Sequence, residues 1–264
     1  MTIKITTYNA GFLVSLGALG LYVIAMFYLH TEKVENGFAE FLPKDWHMFG
    51  HWKFLTVQCL LIQLVNALLH VLAYNMPELK DARDLVFTTL AIPVGFKVAF
   101  TFWLVYFGMG REYIFPEKLD EFYPFWLNQI DHTSFVFINL ALAILIRHKY
   151  TENGVAIPIV YLLGYTGFLF AWRERTGKFI YPYLDEMSTL QFLTYLAGSA
   201  AFVVLTYYLG AQINEYFHGE QEVNVKEEHR MESKTTRTTR FKKYFDYNRK
   251  PTTHSWRTRD GSNV

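Results

Sequence analysis

Apolar residues along the chain gather into six runs, roughly Thr7–His30, Trp52–Tyr74, Leu85–Phe107, Trp126–Ile146, Val155–Trp172 and Leu190–Tyr216. Each is near the twenty or so residues that a helix needs to cross a bilayer. Trp and Tyr collect at the ends of the runs, as they do where helices meet lipid headgroups. Pro43, Pro77, Pro116, Pro124 and Gly154 stand between them as stop and start signals. The pattern predicts an all-α polytopic membrane protein, a six-transmembrane-helix bundle over residues 1–217. From His218 the chain becomes rich in Thr, Arg and Lys with few aliphatic residues, which predicts a disordered basic tail over residues 218–264.

Two of the runs carry a polar stripe. At about 100° per residue, Thr56, Cys59, Gln63, Asn66 and His70 share one side of the second helix, and Asn128, His132 and Asn139 share one side of the fourth. Lipid would leave these groups without partners, so both stripes should face the bundle interior or a wet cavity. Thr56 and His132 each lie just inside the start of an even-numbered helix, hence on one side of the membrane. At 1.5 Å of rise per residue they sit roughly 6 and 9 Å below Trp52 and Trp126.

That depth makes a hydroxyl and an imidazole candidate partners. A threonine is a weak nucleophile until a base takes its proton, and neutral imidazole is suited to the task. A bilayer threonine also commonly bonds back to its own helix, and a histidine in a bundle often serves packing alone. Asn128, one turn before His132, is a candidate to hold the ring's tautomer; Asp131 projects about 100° away and fits less well. Lys97, near the middle of the third helix, needs a partner or a wet cavity, and would suit a substrate carboxylate, an oxyanion, or an internal pair. Lys53 is a candidate anchor for a substrate carboxylate, or an ordinary lysine at a helix start.

Composition agrees with the membrane reading: of 264 residues 52% are apolar and 18% aromatic. A single cysteine, Cys59, leaves no internal disulfide and no zinc-type ligand spacing, so neither metal nor cofactor is expected. No small-residue cleavage site follows the first run, which reads as a retained helix and not a signal peptide. The net charge of +1 conceals a basic stretch, Lys234 to Lys250, where Arg237, Arg240, Lys242, Lys243 and Arg249 face only Asp246. With Phe241, Tyr244, Phe245 and Tyr247 interleaved, it suits an anionic membrane surface better than nucleic acid. Lys226, Arg230 and Lys234 close to the last helix predict cytoplasmic termini, in the plasma membrane or an endomembrane.

A short repeat precedes the fourth and sixth runs: Ile114-Phe115-Pro116 with Leu119-Asp120-Glu121, and Ile180-Tyr181-Pro182 with Leu184-Asp185-Glu186. It is either a pair of similar interfacial elbows or a repeated rim that faces substrate.

The local sequences GHWKFLT with LLIQ after it, IPVG before FW, REYIFPEKLDEFYPFWLNQIDHT and TGKFIYPYLDE resemble the family of androgen-induced and androgen-dependent tissue-factor-pathway-inhibitor-regulating proteins. The likeness runs from the first helix to the sixth and leaves out the tail. It implies a six-span membrane hydrolase of fatty acid esters of hydroxy fatty acids, with a threonine nucleophile and a histidine. The family's Trp-Lys-x-Leu-Thr context falls on Thr56 and includes Lys53. Its Trp-Leu-Asn-x-x-x-His-Thr context falls on His132. Lys97 departs from the pattern, in a place where an apolar residue is expected.

Two rival classes remain on sequence grounds. Pairing His51 with His132 and His70 with His148 would suit haem-based electron transfer, although the nineteen and sixteen residues between same-helix histidines rotate them by roughly 100° and 160°. A non-enzymatic regulator or transporter would use the stripes for packing or passage, but no inverted repeat supports it.

Overall fold

A computed structural model describes residues 2–43 and 46–247, with side chains over residues 7–43 and 46–219; within these, every element is helical. In chain order they are α1 (Thr2–Leu29), α2 (Glu32–Phe41), α3 (Leu55–Asn75), α4 (Lys80–Val86), α5 (Ile92–Gly108), α6 (Phe125–Gln129), α7 (Phe135–Leu145), α8 (Ala156–Thr176), α9 (Pro182–Asp185) and α10 (Thr189–Tyr247). Five stretches are long and apolar enough to cross a membrane: Thr7–Leu29, Leu55–Asn75, Pro77–Gly108, Glu152–Thr176 and Thr189–Gly219. The remaining expected span, residues 125–145, is helical throughout and about 31 Å long, but it is interrupted by a π turn and carries Asp131 and His132.

Two π turns join short helices into longer ones, Phe87–Ala91 between α4 and α5 and Ile130–Ser134 between α6 and α7. Their sequences explain the loosened ladder. Pro93 supplies no N–H to the turn before it. Thr88 and Thr89 hydroxyls bond back to the carbonyls of Asp84 and Leu85 at 2.8 and 2.7 Å, and Ser134 does the same to Ile130 at 2.7 Å.

Helix α1 packs on α3 and α7, and α5 fills the space between the latter two. Tyr22, Leu29, Leu60, Phe102, Leu127 and Phe135 form the buried centre. A second cluster gathers Trp46, Tyr165, Trp172, Phe179, Tyr183 and Leu184 around the start of α9. Large apolar side chains such as Phe27, Leu104, Phe137, Leu163 and Leu205 are exposed, whereas Gln63, Asn66, His70 and Asn139 are buried. This inverted order is what lipid requires of a helical bundle.

The two polar stripes meet halfway. Gln63 donates to the Ala91 carbonyl at 2.8 Å, and Asn139 donates to the same carbonyl and to Gln63 Oε1, both at 3.1 Å. Three helices are thus joined by side-chain amides, the usual adhesive in a setting without a hydrophobic driving force between helices. Gly95 lets them close: a Cβ there would lie 2.7 Å from Gln63 Nε2.

The chain divides into two units, Met1–Phe217 and His218–Val264. Where a structureless tail was expected from His218, α10 continues to Tyr247. Glu, Gln, Lys, Arg and Met are dense there and all favour helix. Residues 248–264, and the basic and aromatic side chains expected to lie on anionic lipid, fall outside those described.

Candidate active site

The approach to α3 is tightly turned. Phe49 and Gly50 take left-handed backbone conformations, a 3-10 turn covers Gly50–Lys53, and Phe54 follows in extended form as the N-cap. A phenylalanine has no side-chain acceptor for the first helical N–H groups, which need one. Two tyrosines supply it instead: Leu55 N–H donates to the hydroxyls of Tyr165 on α8 and Tyr181 before α9, at 3.0 and 2.9 Å. The Thr56 N–H also faces the Tyr181 hydroxyl. Tyr165 donates onward to the Lys53 carbonyl at 2.9 Å.

Lys53 is buried, and its ammonium donates to the carbonyls of Trp46 and Gly50 at 2.9 and 2.8 Å. Desolvation lowers its pKa to about 8. The side chain therefore braces the turn that presents Thr56, and Lys53 is not among the residues lining the neighbouring cavity.

Thr56 occupies the first turn of α3, half-buried, and its Oγ1 lies 3.2 Å from His132 Nε2. The other ring nitrogen, Nδ1, stands 3.1 Å from the main-chain carbonyl of Asn128. A carbonyl only accepts, so Nδ1 carries the proton and, in the neutral ring, Nε2 offers its lone pair to the threonine hydroxyl. Asn128 thus sets the tautomer through its backbone and not through its amide. Phe102 on α5 stacks on the imidazole, centroids 3.7 Å apart and planes 22° from parallel, which fixes the ring against flipping. Asp131 does not orient His132; it accepts a hydrogen bond from Tyr123.

Both groups open onto a cavity of about 400 Å³, within the range of small-molecule sites. Its walls are mostly aliphatic and aromatic side chains. Each copy of the repeated elbow contributes to the lining, Ile114, Phe115 and Pro116 from the first and Ile180, Tyr181 and Pro182 from the second. In each elbow the following aspartate reaches an arginine at the preceding helix end, Asp120 to Arg111 at 2.9 Å and Asp185 to Arg173 at 3.9 Å. The elbows are therefore rim elements of the cavity as well as turns. Lys97 also lines it, buried, with its ammonium bonded to Thr101 and to the Tyr195 hydroxyl at 3.2 Å.

Tyr181, Tyr165 and Phe102 were not singled out as site residues from the sequence. Only Tyr181 carried a signal, as the centre of the second elbow. Of the other histidines paired on sequence grounds, His51 shares the cavity wall, and His70 and His148 lie elsewhere. His51 lies against Phe38, and its pKa is lowered to about 4 by burial, then by His30 and Lys53. His70 and His148 meet at 5.2 Å, with Phe87 stacked 3.8 Å from the His148 ring. That packing leaves no slot for a porphyrin between them. Among the described residues no three His, Cys, Asp or Glu side chains converge as a metal site.

Comparison with known proteins places this architecture. The chain is 29% identical over 220 residues to the human androgen-dependent TFPI-regulating protein, covering 76% of this chain and 90% of that one. The rat protein of the same name is 32% identical over 190 residues, 67% and 81% of the two chains. The human androgen-induced gene 1 protein is 28% identical over 196 residues, 66% and 81%. No solved structure matches. The model of the FAR-17a/AIG1-like protein family matches residues 10–215, which hold both elbows, Thr56, His132 and every residue of the cavity wall; the chain belongs to that family.

Proposed function

We propose that this multi-pass membrane protein is a carboxylic ester hydrolase that cleaves fatty acid esters of hydroxy fatty acids, with Thr56 as nucleophile and His132 as base. The observation that carries the reading is the 3.2 Å contact between Thr56 Oγ1 and the His132 nitrogen left free by Asn128, on the wall of a largely apolar cavity. Few side-chain pairs inside a bilayer have so direct a chemical use.

In this mechanism His132 Nε2 takes the hydroxyl proton as Thr56 Oγ1 attacks the ester carbonyl carbon. The tetrahedral oxyanion collapses, the bond to the alkoxy oxygen breaks, and that oxygen takes the proton from His132. The hydroxy fatty acid departs and an acyl-threonine remains. Water then gives a proton to His132 and attacks the acyl carbon; Thr56 leaves with that proton restored and a fatty acid is released. Oxyanion stabilisation falls to the Tyr181 hydroxyl, since the first N–H groups of α3 are already taken by Tyr165, Tyr181 and the Phe54 carbonyl. Burial raises the Tyr181 pKa to about 12, so its hydroxyl stays protonated at neutral pH and can turn its proton into the cavity.

The ester enters sideways from lipid, and water from the near interface. In this reading both termini face the cytoplasm and the basic tail lies on anionic lipid, as the lysines and arginines after the last apolar run suggest. Purified membranes carrying Thr56→Ala or His132→Ala should lose turnover of such esters, and labelling by a fluorophosphonate should disappear in Thr56→Ala. Wild-type turnover in either variant would end the proposal.

A further inference from the structure

We propose that Lys97 is the anchor for a free carboxylate on the ligand, and that it sets which ester along the chain is presented to Thr56. The inference rests on the hydrolase reading for the reaction, and on the lysine's own surroundings for the binding. Lys97 is 4% exposed and lies within an apolar span, where an ammonium is stable only with a counter-charge or dense hydrogen bonding. Its partners are neutral: the hydroxyls of Thr101 and Tyr195, and the Tyr195 ring, whose centroid is 4.7 Å from Nζ. Among the described residues no carboxylate forms an ion pair with it.

What the protein does not provide, the cavity can receive. Lys97 and Tyr195 share its wall with Thr56 and His132. Tyr195 is held in turn by the Tyr183 hydroxyl at 3.0 Å, so the polar end of the cavity is a prearranged cluster, not one flexible side chain. Snorkelling does not describe it, because Nζ is turned towards α10. Nor does oxyanion binding. The Lys97 ammonium is committed to Thr101 and to Tyr195 on α10, whereas the hydroxyl that faces the Leu55 and Thr56 N–H groups at the start of α3 is that of Tyr181. A ligand held at Lys97 by its acid group would lay its chain along the cavity and bring a bond some way along that chain to the nucleophile. Lys97 is thus a specificity determinant, selecting a free acid over its neutral ester.

The test uses the full-length protein in vesicles, with Lys97→Met and Lys97→Arg. Hydrolysis is compared for a fatty acid ester of a hydroxy fatty acid and for the methyl ester of the same molecule. Binding is compared with a diazirine-bearing palmitic acid and its methyl ester by photolabelling. The wild type should prefer the free acid in both assays. Lys97→Met should lower the acid-to-methyl-ester ratio of kcat/KM by about ten-fold or more, the usual worth of one hydrogen bond to a charged group, and Lys97→Arg should restore most of it. Labelling by the acid should persist in Thr56→Ala and fall in Lys97→Met. An unchanged ratio, or equal labelling of wild type and Lys97→Met, overturns the anchor. Absence of hydrolysis by the wild type with charge-dependent labelling retained overturns the hydrolase reading and leaves the anchor standing.

Discussion

Replacing Tyr181 by phenylalanine removes one oxygen atom from the site and keeps the ring that packs against Phe54 and Tyr183. Two consequences can be separated. Structurally, Leu55 N–H keeps the Tyr165 hydroxyl at 3.0 Å while the Thr56 N–H loses the Tyr181 hydroxyl, so the cost in stability should be about 1–3 kcal/mol. Catalytically, if Tyr181 meets the developing oxyanion, its loss should lower kcat by about 10²-fold, the lower end for one such donor. KM should change little, because the ground-state ester does not need the bond. Tyr165→Phe is the matched control. It leaves the Lys53 carbonyl without its donor, worth about 1–3 kcal/mol if buried, and should therefore lower thermal stability more than kcat. Steady-state kinetics and melting of both variants in the same detergent decide the matter. If Tyr181→Phe retained kcat within a few-fold, or fell no further than Tyr165→Phe, the oxyanion role would be wrong.

Other expectations follow from the same geometry. Gly95→Ala drives a methyl group to 2.7 Å from Gln63 Nε2 and should cost about 1–3 kcal/mol, seen as a lower melting temperature of the solubilised protein. His51 titrates near 4 in the folded chain and near its ordinary 6.5 when unfolded, so the unfolded form binds more protons between those values. Stability should therefore fall as pH drops from about 6.5 to 4, and melting curves of His51→Gln should show less of that fall. Lys53→Met should destabilise the turn before α3, while leaving the preference between a free acid and its methyl ester as in the wild type; a lost preference would make Lys53, and not Lys97, the anchor.

Much of the bundle was readable because lipid enforces simple rules. All six apolar runs became helical, five of them as candidate membrane spans, and stripe residues Gln63, Asn66, His70, Asn128, His132 and Asn139 all turned inward. Depth counted from Trp52 and Trp126 made Thr56 and His132 candidate partners but not neighbours; the 3-10 turn at Gly50–Lys53, the extended Phe54 and the π turn at Ile130–Ser134 depart from a uniform helical rise, and the contact itself comes from how α3 packs against that π turn. Periodicity could not divide each stripe by purpose. Its ends and middle serve three different contacts, a hydroxyl–imidazole bond at Thr56, an adhesive amide at Gln63, and a packed pair of rings at His70. The tyrosines that cap α3 were hidden for another reason. Tyr165 lies in an apolar helix and Tyr181 in a turn, and neither position has a period that predicts a partner more than a hundred residues away. For Lys53 the sequence left a ligand anchor and an ordinary lysine at a helix start side by side, and what separates them, the two backbone carbonyls of Trp46 and Gly50 that its ammonium bonds, has no signature in the sequence pattern.

At the end of α3 remote from Thr56, Arg83 and Asp84 pair at 2.7 Å, and Asp84 also accepts from His148. Arg83 reaches the Arg147 carbonyl, and the His148 N–H reaches Asn214 of α10. A carrier that exposes its cargo alternately to two compartments would have to break this clasp once per cycle, with each buried charge losing its partner. An enzyme has no such need. If the bundle cleaves a lipid ester as proposed, the clasp can stay shut through the whole cycle, and both products would leave on the side of Thr56, into the leaflet that supplied the ester.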